Sequence, residues 1–183
     1  MRQLGSVVES LLILARADAG LEPGPVADVP INEVVLETAR QCDPLAAAAS
    51  VHVVPILHQC ARDEEDLHVR GDADLLQVMI SNLVRNAIRH SPRDGRVEIE
   101  VTRTASTASI AVRDRGPGIP PEHLPRLFER FQHPAGEPIA PRGAGLGLAI
   151  AKSIAQMHHG TIAAKNREGG GAEFVIDLPL AVS

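Results

Sequence analysis

Asn82 and Asn86 stand four residues apart in the stretch DADLLQVMISNLVRNAIRHS (Asp72 to Ser91), with His90 continuing the line and Arg89 flanking it. Asparagine is a poor helix former, costing roughly a few tenths of a kcal/mol against alanine, so two of them inside one helix need a reason. A carboxamide oxygen can ligate a hard cation such as Mg2+ without adding negative charge beside phosphates, and a nearby arginine can hold phosphate oxygens. Two solvated or capping asparagines are the alternative. A second feature is Asp114, which shares the parity of Ile110 and Val112 and so points into the core. A carboxylate facing apolar surroundings needs a donor, and an adenine amino group would serve; an aspartate capping its own turn is the alternative. Gly116, Gly118 and Ile119 follow in a Gly-Pro-Gly-Ile-Pro turn that lets backbone approach a ligand closely. The third feature is Gly143, Ala144, Gly145, Leu146, Gly147 and Leu148, preceded by Arg142. Glycines opening a helix expose N–H groups to an anion. The spacing is neither the dinucleotide fingerprint nor a P-loop, which would need a Gly-Lys pair. His158 and His159 end that helix without acidic or cysteine companions, which favours helix-end charge over a metal site.

The elements that would carry these residues can be read from periodicity. Leu76, Met79, Leu83 and Ala87, widened by Leu75, Ile80, Val84 and Ile88, make one apolar stripe at helical spacing, and the asparagine row lies beside it, at the rim of a core. Asp72 is a fair N-cap and Pro92 a stop. Arg96 to Arg103, Ser109 to Asp114 and the segment around Phe174, Ile176 and Leu178 alternate with period two, which predicts a sheet with one wet face and mixed or antiparallel pairing. Val51 to Leu57 and Leu67 to Val69 read as further strands. Ile31 to Ser50 reads as a helix that Pro44 should break or kink. Met1 to Ala19 reads as an amphipathic helix with a Leu4, Val7, Leu11, Leu14 seam, too short to stand alone; its partner is either its own domain or another helical hairpin and a second subunit. Gly20 stops it, and Leu21 to Pro30 reads as a Pro-rich linker. Gln132 to Arg142 reads as a mobile loop. The expected architecture is α/β: a two-layer sandwich with a mixed sheet and helices on one face.

Composition narrows the classes. The 183 residues, 44% hydrophobic, contain neither Trp nor Tyr and three Phe, so the core must be Leu, Val, Ile and Ala. A net charge of -5 without Lys/Arg clusters argues against nucleic acid. Asp63 to Asp66 reads as a solvated acidic loop. Cys42 and Cys60 form no C-x-x-C pair, so inert thiols in the reducing cytosol are the default. No apolar run reaches membrane-spanning length and no signal peptide opens the chain; an inner-membrane anchor of a longer parent would lie outside it.

Four motifs in order now carry a resemblance. N82-L-V-R-N86-A resembles the N box, D114-R-G-P-G118 the first glycine box, L127-F-E-R-F131 the F box and G143-A-G-L-G147-L the second glycine box of the ATP-binding catalytic domain of sensor histidine kinases, within the wider gyrase, heat-shock chaperone and mismatch-repair ATPase group. The resemblance covers about Pro30 to Pro179, and Met1 to Gly20 looks like the second helix of that family's dimerisation and phosphotransfer hairpin. It implies a Bergerat-type ATP-binding fold over residues 31–183, a linker over 21–30 and a partial hairpin over 1–20. It also implies ATP and Mg2+: Asn86 on the metal, Asn82 supporting it or touching phosphate, Arg89 in the place of a phosphate-binding lysine, and His90 lining the nucleotide. Asp114 would accept from the adenine amino group, with Gly116, Gly118 and Ile119 around the base. Arg142 and Gly143 to Leu148 would hold phosphates under a lid formed by the preceding loop.

The same resemblance implies transfer of the ATP γ-phosphoryl group to a histidine hairpin, of the same protein or in trans, with a response regulator downstream and a second copy of the chain as a candidate partner. None of the eight histidines has the family's phosphoacceptor context, so that histidine is expected outside this chain, and the start inside a helix favours a fragment of a longer kinase. Any general base would lie beside that acceptor. Gly169-Gly170-Gly171-Ala172 also lacks the threonine hydroxyl of the family's last glycine box. An anti-sigma-type serine kinase and a non-catalytic ATP-gated interaction module are the alternative functions.

Overall fold

A computed structural model of the protein describes residues 2–21, 23–58, 67–131 and 145–181. Among the described residues twelve elements follow one another: α1 (Arg2–Asp18), β1 (Ala27–Pro30), α2 (Ile31–Ala49), β2 (His52–Ile56), β3 (His68–Gly71), α3 (Ala73–His90), β4 (Arg96–Arg103), β5 (Thr107–Arg113), a 3-10 turn (Leu124–Arg126), α4 (Gly147–Met157), β6 (Thr161–Asn166) and β7 (Ala172–Pro179). The main sheet has five strands in the order β2-β4-β5-β7-β6. Only β2 and β4 run parallel; the remaining neighbours are antiparallel.

The alternation of apolar residues has the predicted consequence. Val97, Ile99, Val101, Ile110, Val112, Phe174, Ile176 and Leu178 are buried against the helices. From the other side α3 buries Leu76, Met79, Ile80, Leu83, Val84, Ala87 and Ile88, each stabilising by about 1.5 to 3 kcal/mol for the larger side chains. Asp72 caps α3 by accepting from the N–H groups of Asp74 at 3.0 Å and Leu75 at 3.2 Å. That cap contributes about 1 kcal/mol and fixes where the asparagine row begins.

Two expectations need correction. Of the expected break or kink at Pro44, the break does not occur: α2 runs from Ile31 to Ala49. Val34, Val35, Thr38, Ala39, Cys42 and Ala46 hold both halves on one core, while Pro44 faces solvent, where the carbonyl deprived of its donor can turn to water. The stretch read as a linker ends in structure as well: Ala27–Pro30 forms β1, antiparallel to β3 in a separate two-stranded sheet, because Val29 is inward and buried. The acidic Asp63 to Asp66 lies outside the described residues.

Helix α1 packs on α4 and buries Ile13 and Leu14. Its opposite side leaves Val8, Leu11 and Leu12 exposed at 56%, 47% and 60%, so the apolar seam is split between two faces.

His158, expected as a helix-end charge, is a buried neutral side chain. Its Nε2 accepts from the backbone N–H of Asp72 at 3.1 Å, and its Nδ1–H donates to the Ile154 carbonyl at 2.8 Å. The ring thus ties the end of α4 to the start of α3. Burial lowers its pKa below the ordinary 6.5, outweighing the Ile154 hydrogen bond and nearby Asp72, which act the other way. The unfolded chain therefore takes up this proton at a higher pH than the folded protein. Stability is fully present above about pH 6.5 and is lost as pH falls from there toward the depressed folded value. We expect this group to remove up to about 1.4 kcal/mol of unfolding free energy between pH 7.5 and 5.5. In His158→Gln that part of the pH dependence should vanish, as read by urea denaturation at the two pH values.

Candidate functional site

The C-terminal half of α3 is met at one point by the start of α4 and at another by the turn after β5. Asn82 and Asn86 are half-buried on α3, at the edge of the stripe that enters the core. Among the described residues neither carboxamide is engaged in a hydrogen bond with the protein. A Cβ placed on Gly147, the first residue of α4, would lie 3.0 Å from Asn82 Oδ1, so the glycine lets the two helices meet. Among the described residues no side chain caps α4, and its first turn holds no acid. Free N–H groups at a helix start can bind an anion. At the other end of α3, Arg89 and His90 are exposed in the last turn. A Cβ on Gly116 would collide with the His90 carbonyl, so the first glycine-rich turn is pressed against the end of α3.

Asp114 is 2% exposed. Its Oδ1 accepts from the N–H groups of Gly116 at 2.8 Å and Ala172 at 3.1 Å. The turn-capping alternative is seen at one oxygen, and among the described residues no hydrogen bond goes to the other. Its position is set by backbone pairing with β7, since its N–H donates to the Ala172 carbonyl. Arg113, one residue earlier on the outer face, bridges Glu173 at 2.5 Å and Glu100 at 2.6 Å, and Lys165 joins Glu173 at 2.7 Å. Burial alone would raise the Glu173 pKa, but the hydrogen bonds from Lys165 and Arg113 outweigh it and hold the carboxyl below its ordinary value. This ladder pins β5 to β7 and β6 beside the point where Asp114 leaves the sheet.

Leu127 to Phe131 is anchored by Phe128, which meets Phe174 edge-to-face at 6.5 Å. The Phe131 N–H donates to the Gly145 carbonyl at 3.1 Å. The predicted mobile loop Gln132 to Arg142, and with it Arg142, Gly143 and Ala144, lies outside the described residues; Gly145, Leu146, Gly147 and Leu148 stand at the head of α4. A cavity of about 270 Å³ between α1, α2 and α3 is lined in part by Ser10, Gln41, Gln77, Asn82 and Arg85. It is small for a nucleotide, and Asp114, Gly116, Gly118 and Ile119 are not among its lining residues.

Sequence reasoning missed the hairpin between β6 and β7. Asn166 pairs its carboxamide with the peptide of Ile119, Arg167 donates to the Asp114 carbonyl at 2.9 Å, and Gly171 has no Cβ where one would strike Asp114. The only local signal is the glycine run itself, which marks a turn without saying what it approaches.

The family model described as histidine kinase-, DNA gyrase B- and HSP90-like ATPase matches residues 71–182. The chain belongs to this ATPase family. The sensor-like histidine kinase SenX3 of Mycobacterium tuberculosis is 36% identical over 191 residues, covering 98% of this chain and 43% of SenX3. The mycobacterial sensor histidine kinase MprB superposes with a TM-score of 0.70 at 26% identity, covering 87% of this chain and 99% of that structure. Full-length ShkA, solved in complex with AMPPNP, gives 0.80 at 25% identity over 99% of this chain and 36% of ShkA. The chain thus spans less than half the length of the curated relatives it matches. The expected mixed sheet with helices on one face is the ATPase fold of these structures.

The Gly171 approach gives a test. Gly169 and Gly171 have positive φ of 88° and 91°, but only Gly171 has backbone where a Cβ would go. Gly171→Ala should cost about 2 kcal/mol more stability than Gly169→Ala, measured by chemical denaturation, since backbone overlap adds to a shared conformational penalty.

Proposed function

We propose that this chain is the ATP-binding catalytic portion of a two-component sensor histidine kinase that transfers the γ-phosphoryl group of ATP to a histidine outside the chain. The observation that carries the reading is that α3 meets both other motif-bearing elements, the start of α4 at Asn82 and the turn after Asp114 at the His90 carbonyl. Among the described residues the asparagine row has no internal partner, the buried acid has one oxygen uncommitted, and no side chain caps α4.

The residues present fit Mg-ATP. Asp114 accepts from the adenine amino group through its uncommitted oxygen, with Gly116, Gly118 and Ile119 forming the wall of the base pocket. Asn86 carries Mg2+, with Asn82 beside it, and Arg89 and His90 lie toward the nucleotide at the end of α3. Gly145 to Leu148 offer backbone donors to phosphates, joined by Arg142, Gly143 and Ala144. Mg2+, when bound, neutralises charge on the phosphate oxygens. Phosphoryl transfer asks the protein for positioning and charge stabilisation rather than covalent chemistry. A neutral imidazole nitrogen attacks the γ-phosphorus, the N–P bond forms as the bond to the β-phosphate oxygen breaks, and ADP leaves.

Two features support a division into a partial hairpin helix over 1–20 and a catalytic domain over 31–183. Relatedness to sensor kinases runs through α1, covering 98% of the chain. The exposed Val8, Leu11 and Leu12 face suits packing against the other helix of a phosphotransfer hairpin or a second copy of the chain. Sensor kinases hand the phosphoryl group to a response regulator, and the catalytic portion works in the cytoplasm, whether or not its parent is membrane-anchored. No helix among the described residues is long and apolar enough to cross a membrane. The anti-sigma-type serine kinase is not favoured, because that relatedness includes α1 and Leu127 to Phe131.

Asn86→Ala should weaken Mg-ATP binding at least about tenfold in calorimetric titration, with the circular dichroism spectrum unchanged. Unchanged affinity would contradict the role given to Asn86. Incubation of the wild type with labelled ATP and a histidine hairpin should label the hairpin with an acid-labile phosphate; an acid-stable phosphoserine on an antagonist protein would favour the serine kinase.

A further inference from the structure

The geometry points to Asn166, at the end of β6, as the residue that positions the adenine pocket, through a paired hydrogen bond between its side chain and the backbone of Ile119. This inference rests on reading the cleft as an adenine-nucleotide site. The turn after Asp114 contains Gly116, Pro117 and Gly118, and Gly118 adopts a positive φ of 82°. Such a turn is intrinsically loose. Its near end is held where Asp114 Oδ1 receives the Gly116 N–H. Its far end is held by Asn166: the Ile119 N–H donates to Asn166 Oδ1 at 2.7 Å, and Asn166 Nδ2 donates to the Ile119 carbonyl at 2.8 Å. Backbone hydrogen bonds among the described residues leave both Ile119 peptide groups to this one side chain.

The reach is possible because of register. Asn166 lies directly opposite Ala172 on β7, and the Ala172 N–H donates to Asp114, the residue just past the end of β5. One line therefore runs from β6 across β7 to the end of β5, from Asn166 through Ala172 to Asp114. A Cβ on Gly118 would lie 2.9 Å from Asn166 Oδ1, so that glycine is what lets the amide come close. The neighbouring Arg167 donates to the Asp114 carbonyl, so the end of β6 supports both the acid and the wall residue of the pocket. Asn166 acts through the backbone of Ile119, which makes it a positioning residue rather than a contact. Removing it frees Ile119 and one end of the turn, and the nucleotide must then order them on binding. The phosphates, held by α3 and α4, are untouched.

The test uses the full chain, with Asn166→Leu, similar in size and unable to make either bond, and Asn166→Ser, which keeps a short hydroxyl toward the Ile119 N–H. Calorimetry with Mg-ADP, Mg-ATP and Mg-tripolyphosphate gives the readout. We expect Asn166→Leu to raise the Kd of both adenine nucleotides by a common factor of about three to ten. Tripolyphosphate affinity should be unchanged, with Asn166→Ser in between. Unchanged nucleotide affinity in Asn166→Leu overturns the inference. So does an equal loss toward tripolyphosphate, which would mark a merely structural role. A wild type that binds tripolyphosphate but discriminates for no adenine nucleotide overturns the reading of the cleft itself.

Discussion

A carboxylate withdrawn from water needs donors for the lone pairs it keeps, and Asp114 obtains them from backbone that the chain brings together over a long distance. Gly116 is two residues away and Ala172 fifty-eight, yet both N–H groups meet on one oxygen. That constraint dictates much of the surrounding architecture. β5 must end beside the start of β7, Gly171 must lack a side chain where it passes the Asp114 backbone, and Gly116 must lack one where it meets the end of α3. An unpaired buried carboxylate would cost several kcal/mol, so the same few contacts satisfy this acid and join β5 to β7.

The helices answer a second demand, which is to hold polar groups at the rim of an apolar core without burying them. α3 presents Asn82 and Asn86 beside, not opposite, the stripe from Leu76 to Ile88, and the core fixes their rotation about the helix axis. α4 is set against them by Gly147 at one end and by His158 at the other, where the ring grips the first turn of α3. Neutral at pH 7, that imidazole couples the alignment of two site-bearing helices to proton concentration through stability rather than through chemistry.

Much of this was legible in the sequence, and the reasons are local. Helical spacing exposed the α3 stripe, period-two alternation exposed the sheet and its parity, and the parity of Ile110 and Val112 revealed that Asp114 points inward. What could not be read depends on partners far along the chain. Asn166 acts on a residue 47 positions away, Arg167 on one 53 away and His158 on one 86 away, and none of them sits in a pattern that its neighbours share. Pro44 misled because a helix-breaking propensity of about 3 kcal/mol was set against a long buried face that holds α2 together on both sides of it. β1 was hidden in a Pro-rich stretch because a four-residue strand with a single buried valine carries almost no periodic signal.

The central claim is that a buried acid recognises the amino group of adenine, and the most direct measurement compares Mg-ATP with the triphosphate of the purine riboside lacking that group. Wild-type protein should bind ATP at least about tenfold more tightly than the deamino analogue, as expected for a hydrogen bond to a charged group, and Asp114→Asn should bring the two affinities within about a factor of two. Equal affinities in the wild type, or a preference that survives in Asp114→Asn with its fold intact, would contradict the account.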